Sequence, residues 1–216
     1  MQSLHTLIYI SYFSACIPLF LILSHFRKLK EPIIALLSIL IFVAACSDLI
    51  SYILIQRHKS SMPVVNIYFI AQFLLLSYIF SLLLSSRKLI YVITALYLIV
   101  YLLFILELEH VNNFQSGLRT IEDIVILTYC VLYYRQLMET LPAENIWQYS
   151  PFWITTAVFF YFGSNLFLFI MGNDVFKNLP IKNAMTVWGF HNVNNIVKNI
   201  LVAVGIYYAG KKQEAL

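Results

Sequence analysis

A lysine, a histidine and four asparagines stand inside an otherwise apolar stretch, Trp188 to Gly205, near the end of the chain. They are His191, Asn192, Asn194, Asn195, Lys198 and Asn199. An ionisable group at bilayer depth is costly, and it normally faces a partner, a water-filled cavity or a transport path. On a helical wheel of about 100° per residue, all six fall within an arc of roughly 160°. Phe190, Val193, Val197, Ile200 and Val204 fall opposite. The pattern predicts a helix with one face toward lipid and the other toward a polar interior.

Other apolar stretches carry groups that could meet this face. They are Asp48 and Ser51, Tyr68 and Gln72, Tyr101, Glu122 and Asp123, and Ser164 and Asn165. At about 1.5 Å rise per residue, Asp48, Gln72, Asn165 and His191 share a level roughly 10 Å below one membrane surface. Tyr101, Glu122 and Asp123 come near it. The expected ligand-binding set is therefore Asp48, Gln72, Tyr101, Asp123, Asn165, His191, Asn194, Asn195 and Lys198. Within it, His191, Asn195 and Asp48 are expected to touch a ligand, with Lys198 balancing charge beneath. Structural readings compete. Asn and Gln hydrogen-bond between membrane helices at about 0.6 kcal/mol each, which suits Asn165 and Gln72. Asp48 could pair with a hydroxyl or with Lys198. Glu122 and Asp123 stand at i+3 and i+4 from Arg119 and could be its partners near water.

The elements that must hold these groups follow from composition. The chain has 216 residues, of which 61% are hydrophobic and 11% charged. Soluble domains carry about a quarter charged residues. Stretches near 4–26, 33–55, 64–84, 89–107, 118–137, 151–172 and 185–209 each approach the roughly 20 residues that cross a bilayer. The expected fold is all-α: one polytopic domain over 1–216, a bundle of seven transmembrane helices. Pro32, Pro63 and Pro151 mark helix starts, where the missing N–H costs nothing. Eight Lys and Arg gather on one side against four or five on the other, Arg119 being the marginal one. This places the N-terminus outside and the C-terminus in the cytoplasm. The net charge of +4 is spread over short clusters and signals no nucleic-acid partner. A cleaved leader is not expected, because no basic segment precedes the first apolar run. Cys16, Cys46 and Cys130 are odd in number and lie within spans, which suits packing rather than a disulfide framework.

Specific chemistries find little support. A retinal site would need a counter-ion beside Lys198, but Asp48 lies about two turns away and the asparagines are too polar. A zinc enzyme would need more inward histidines than His191. No H-E-x-x-H or G-x-S-x-G occurs. No cofactor, metal or enzymatic activity is expected. A transporter would use the same lysine, carboxylates and asparagines, and broken helices would favour it.

Several short patterns carry a resemblance. Phe152-Trp153, Trp188-x-x-His191-x-x-Asn194-Asn195-x-x-x-Asn199 and Tyr68-x-x-x-Gln72-Phe73 resemble the seven-helix membrane regions found in front of bacterial histidine kinases. The resemblance implies a ligand-sensing input in the cytoplasmic (inner) membrane of a bacterium. This chain departs from that plan in stopping after the membrane region, so kinase activity is not implied. The expected function is a sensor or receptor-like module, with a small outer-side ligand and a separate cytoplasmic or membrane signalling partner. The alternative is a small-solute or proton-coupled transporter.

Overall fold

The structure is a computed structural model that describes residues 2–24, 31–105, 115–142, 145–172 and 180–214. The described residues are helical and contain no strand. The helices are α1 (Gln2–Ser14), α2 (Cys16–Ser24), α3 (Pro32–Gln56), α4 (Met62–Leu83), α5 (Arg87–Ile105), α6 (Ser116–Thr140), α7 (Ser150–Ile170) and α8 (Ile181–Glu214). A 3₁₀ turn, Ile146–Gln148, precedes α7. Of the Lys and Arg whose distribution orients the chain, Arg27, Lys28, Lys30 and Lys177 lie outside the described residues.

Proline shapes the elements in two ways. Pro32, Pro63 and Pro151 sit in the first turns of α3, α4 and α7, as the sequence predicts. Pro18 acts differently, because it falls within the first span. Its ring cannot donate to the carbonyl of Ser14 and crowds it. The helix breaks there, and Ala15 N–H bonds the carbonyl of Tyr12, three residues back. α1 and α2 are the two halves of one kinked rod.

The rods pack as a ring. α1 and α2 lie along α8, α8 along α7, α7 along α6, α6 along α4, and α4 along α3. α2 touches α3 and closes the ring, while α5 stands outside it against α4. Side-chain bonds pin the joints. Gln136 of α6 accepts from the Ser85 N–H and hydroxyl and donates to the Leu83 carbonyl, which closes the end of α4. Tyr134 donates to Thr156 between α6 and α7 at 3.0 Å. At Gly205 of α8, an added Cβ would lie 2.9 Å from Ile154 Cγ1 and 3.4 Å from the Ser150 carbonyl. The absent side chain lets α7 and α8 approach closely there.

The outer surface is apolar. Phe13, Phe20, Leu23, Phe42, Ile67, Leu103 and Phe167 all stand exposed. Contiguous apolar surface on this scale is not compatible with water, but it suits acyl chains. Among the described residues, five segments are long and apolar enough to cross a membrane: Thr6–Ser24, Pro32–Gln56, Met62–Leu83, Arg87–Phe104 and Ser150–Ile170. The other two rods carry more polar groups: Arg119, Glu122 and Asp123 are buried on α6, and Asn192, Asn194 and Asn199 on α8. Trp147, Phe152 and Trp153 cluster at the start of α7, where Trp153 Nε1 donates to the Trp147 carbonyl at 2.7 Å.

Candidate functional site

α8 presents the amphipathic division expected of it. Asn192, Asn194 and Asn199 are buried, while Phe190, Val193 and Ile200 are exposed on the opposite face. Two neighbours receive the polar face. On the α7 side, fully buried Asn165 is a hub. Its Nδ2 donates to the Tyr161 carbonyl, and its Oδ1 accepts from Asn194 Nδ2 at 3.1 Å. His191 Nδ1 lies 3.2 Å from the same oxygen, and the hub assigns it the donor role. The His191 ring packs edge-on against Tyr161 and Phe169.

On the other side, α8 grips the kinked rod. Asn195 Nδ2 donates to Ser11 Oγ at 3.2 Å, and Asn199 Nδ2 donates to Ser14 Oγ at 2.8 Å. Ser14 in turn donates to the Ser11 carbonyl. Two asparagines one turn apart thus meet two serines on α1, just before its break. Asn165, Asn194 and Asn199 bond helix to helix.

Between these contacts lies a cavity of about 110 Å³. It has room for a cluster of waters or a small polar group. Its walls come from Ala15 and from α3, α4, α7 and α8. Its polar lining is Asp48, Tyr68, Gln72, His191, Asn195, Lys198 and Asn199, with the Tyr161 ring beside them. Lys198 Nζ sits 4.8 Å from the centroid of that ring. A cation over an aromatic face is stabilised by the ring quadrupole. Asp48 is exposed at the edge of the bundle as well as lining the cavity, and it forms no ion pair with Lys198 within 4 Å.

A second polar assembly adjoins the first through Gln72. Gln72 Nε2 donates to Tyr68 Oη at 3.1 Å, and Gln72 Oε1 accepts from Arg119 Nη1 at 3.0 Å. Arg119 lies 2.7 Å from Glu122 and 3.5 Å from Asp123, and all three side chains are fully buried. The rings of Phe69, Phe162 and Phe169 surround the guanidinium, with centroids 4.2, 5.2 and 4.7 Å from its carbon. The sequence left Glu122 and Asp123 open, as members of the polar layer or as partners of Arg119 near water. The structure has the pairing, but not near water: α6 turns the i, i+3, i+4 triad inward, and all three side chains are buried.

Of the nine expected site residues, Asp48, Gln72, His191, Asn195 and Lys198 meet at the cavity. Asn165 and Asn194 stand behind His191 as its support. Asp123 belongs to the Arg119 assembly, one residue removed through Gln72. Tyr101 packs in the apolar core beside Tyr97, away from the cavity, so the expectation that it lines the pocket does not hold. Its helix, α5, lies outside the ring, and membership of the ring is not encoded in the depth of a residue. Tyr161 is the residue sequence reasoning passed over. The Arg119 pairing was legible, from the spacing Arg119-x-x-Glu122-Asp123. The wall at Ala15 left no such signal. In comparisons with known proteins, no family model, curated protein or solved structure matches this chain.

Proposed function

We propose that the chain is a seven-span membrane receptor module, with its N-terminus outside and its C-terminus in the cytoplasm of a bacterium. It binds a small ligand in the interior polar cavity and passes the event to a separate signalling partner. The observation that carries this reading is the inward face of α8. It brings His191, Asn195 and Lys198 onto one cavity opposite Asp48 and Gln72. Interhelical glue alone does not need a lysine and a carboxylate on one cavity that form no direct ion pair within 4 Å. The counted spans are the kinked α1–α2 rod with α3, α4, α5, α6, α7 and α8. Ligand binding would act on the clamp between α8 and α1, because Asn195 both lines the cavity and bonds Ser11.

The first test is native mass spectrometry of the protein extracted from its own membrane. A ligand of defined mass is expected on the native chain and lost in Lys198→Met, with both proteins accumulating equally. If Lys198→Met fails to accumulate, the lysine is structural and the reading falls.

One observation favours a second reading, a transporter. The break at Ala15 makes the first rod discontinuous beside the cavity, a feature of transporter sites. Flux of labelled solutes into proteoliposomes separates the two. Transport by the purified chain would replace the receptor reading, and binding without flux would retain it.

A further inference from the structure

A second cavity opens on the outside of the ring, between α1 and α3. Its volume is about 320 Å³, and its walls are Tyr9, Tyr12, Phe13, Leu49 and Tyr52 with Ala15, Ala45 and Asp48. The last three residues also line the interior cavity. The two spaces share this wall, built from two methyl side chains and one carboxylate. The kink at Pro18 explains the gap. α2 packs on α3, while α1 packs mainly on α8. The cleft faces the apolar exterior, where acyl chains would lie, and its aromatic walls suit a hydrocarbon chain.

The charges say what lies at its inner end. Asp48 and Lys198 address the interior cavity with opposite signs, and no ion pair within 4 Å joins them. A carboxylate facing acyl chains is costly without a partner. A purely anionic head group would satisfy Lys198 and repel Asp48. A purely cationic one would do the reverse. A group with an ammonium and an anion a few bonds apart satisfies both.

We infer that the ligand is a single-chain zwitterionic lipid that reaches the interior sideways from the bilayer, its chain in the cleft between α1 and α3 and its head group passing Ala15 and Ala45 to Asp48 and Lys198. This inference rests on the proposed function, since it identifies the ligand of the same cavity. The ammonium lies against Asp48, and the anionic group lies toward Lys198, with Asn195 beside it. Access from the water phase is not required.

Photoaffinity labelling of the full-length protein in nanodiscs tests it. The probe is lysophosphatidylethanolamine with a diazirine in its acyl chain. The competitors are unlabelled lysophosphatidylethanolamine, lysophosphatidylglycerol and free phosphoethanolamine. Labelling is expected on Tyr9, Tyr12, Phe13 or Tyr52, and unlabelled lysophosphatidylethanolamine should compete for it. The glycerol head group should compete about tenfold or more weakly, because it leaves Asp48 unpaired. Free phosphoethanolamine should not compete. Ala45→Phe, which narrows the passage, should abolish competition. If that variant does not fold, the labelled positions on the native chain decide alone. Equal competition by the two lysolipids would overturn the zwitterionic head group. Competition by free phosphoethanolamine, or labelling confined to other helices, would overturn sideways access while leaving the binding cavity intact. Absence of any saturable labelling would overturn the whole inference. The receptor reading fails separately, if no mass is carried by the native chain or if Lys198→Met retains it.

Discussion

Arg119 is held in the interior by opposite charges and aromatic faces rather than by a full set of hydrogen bonds. Two carboxylates, one amide oxygen and three aromatic faces surround it, and none of its side chain meets solvent. Removing one partner of a buried ionic group leaves an uncompensated charge, at about 3–5 kcal/mol. Arg119→Leu is therefore expected to unfold on mild heating or to fail to accumulate, as read by fluorescence-detected size exclusion. The triple change Arg119→Met, Glu122→Gln and Asp123→Asn removes the charges together and should recover most of the lost thermal stability. Equal stability of the native chain and Arg119→Leu would show the cluster to be energetically idle. Asn165 is a smaller case. Its Oδ1 holds both Asn194 and His191. Asn165→Leu should lower the unfolding midpoint by an amount equivalent to about 1–2 kcal/mol, given roughly 0.6 kcal/mol for a typical membrane hydrogen bond and up to 1.7 for a strong one. Residue identity revealed much of this site. The polar stripe on α8 is visible because amides and charges are rare in spans. Whether Asn165 bonds a helix or a ligand was not visible, because the amide serves both and only a neighbour's position decides. Tyr101 shows the same limit from the other side: its depth is right and its helix is on the wrong side of α4.

At the scale of elements, the kink in the first rod governs both the clamp and the cleft. Pro18→Ala restores a donor toward the Ser14 carbonyl and relieves the clash that breaks the helix. The rod should straighten, and Ser11 and Ser14 should leave Asn195 and Asn199. Disulfide yield in the pair Ser11→Cys and Asn195→Cys measures this. High yield is expected with Pro18 and low yield with alanine. Unchanged yield would show that the break has another cause. Gly205 tests the α7–α8 joint. Alanine there must displace Ile154, whose Cγ1 would lie 2.9 Å from the new Cβ. Gly205→Ala is expected to lower the thermal midpoint measurably, and Gly205→Leu should prevent accumulation. The helices themselves were legible from hydropathy, and three of their starts from proline. The break at Ala15 was not anticipated, although Pro18 is in plain view, because a proline near the end of an apolar run reads equally as a tolerated interior residue.

For the whole molecule, the exterior is apolar where that of a water-soluble fold is polar. Phenylalanine and leucine lie on the outside as well as in the core, and Arg119, Glu122, Asp123 and several amides are buried within. The ring arrangement makes this workable, because six rods enclose the buried polar groups and leave the apolar exterior for lipid. Ring order was not legible in the sequence, since every span presents lipid-compatible residues and nothing in hydropathy says which helix stands apart. The proposed seven crossings would put the two termini on opposite sides, which reporter fusions at each end would register as opposite signals; like signals would refute that topology.

Cysteine accessibility tests most directly whether the polar face of α8 looks onto a hydrated interior. In a background with Cys16, Cys46 and Cys130 replaced by alanine, single cysteines at Asn195 and Lys198 should react with a small hydrophilic thiol reagent in intact membranes. Cysteines at Val193 and Ile200 should stay unreactive. The reverse order, or equal silence at Asn195 and Lys198, would contradict a water-filled cavity behind the final helix.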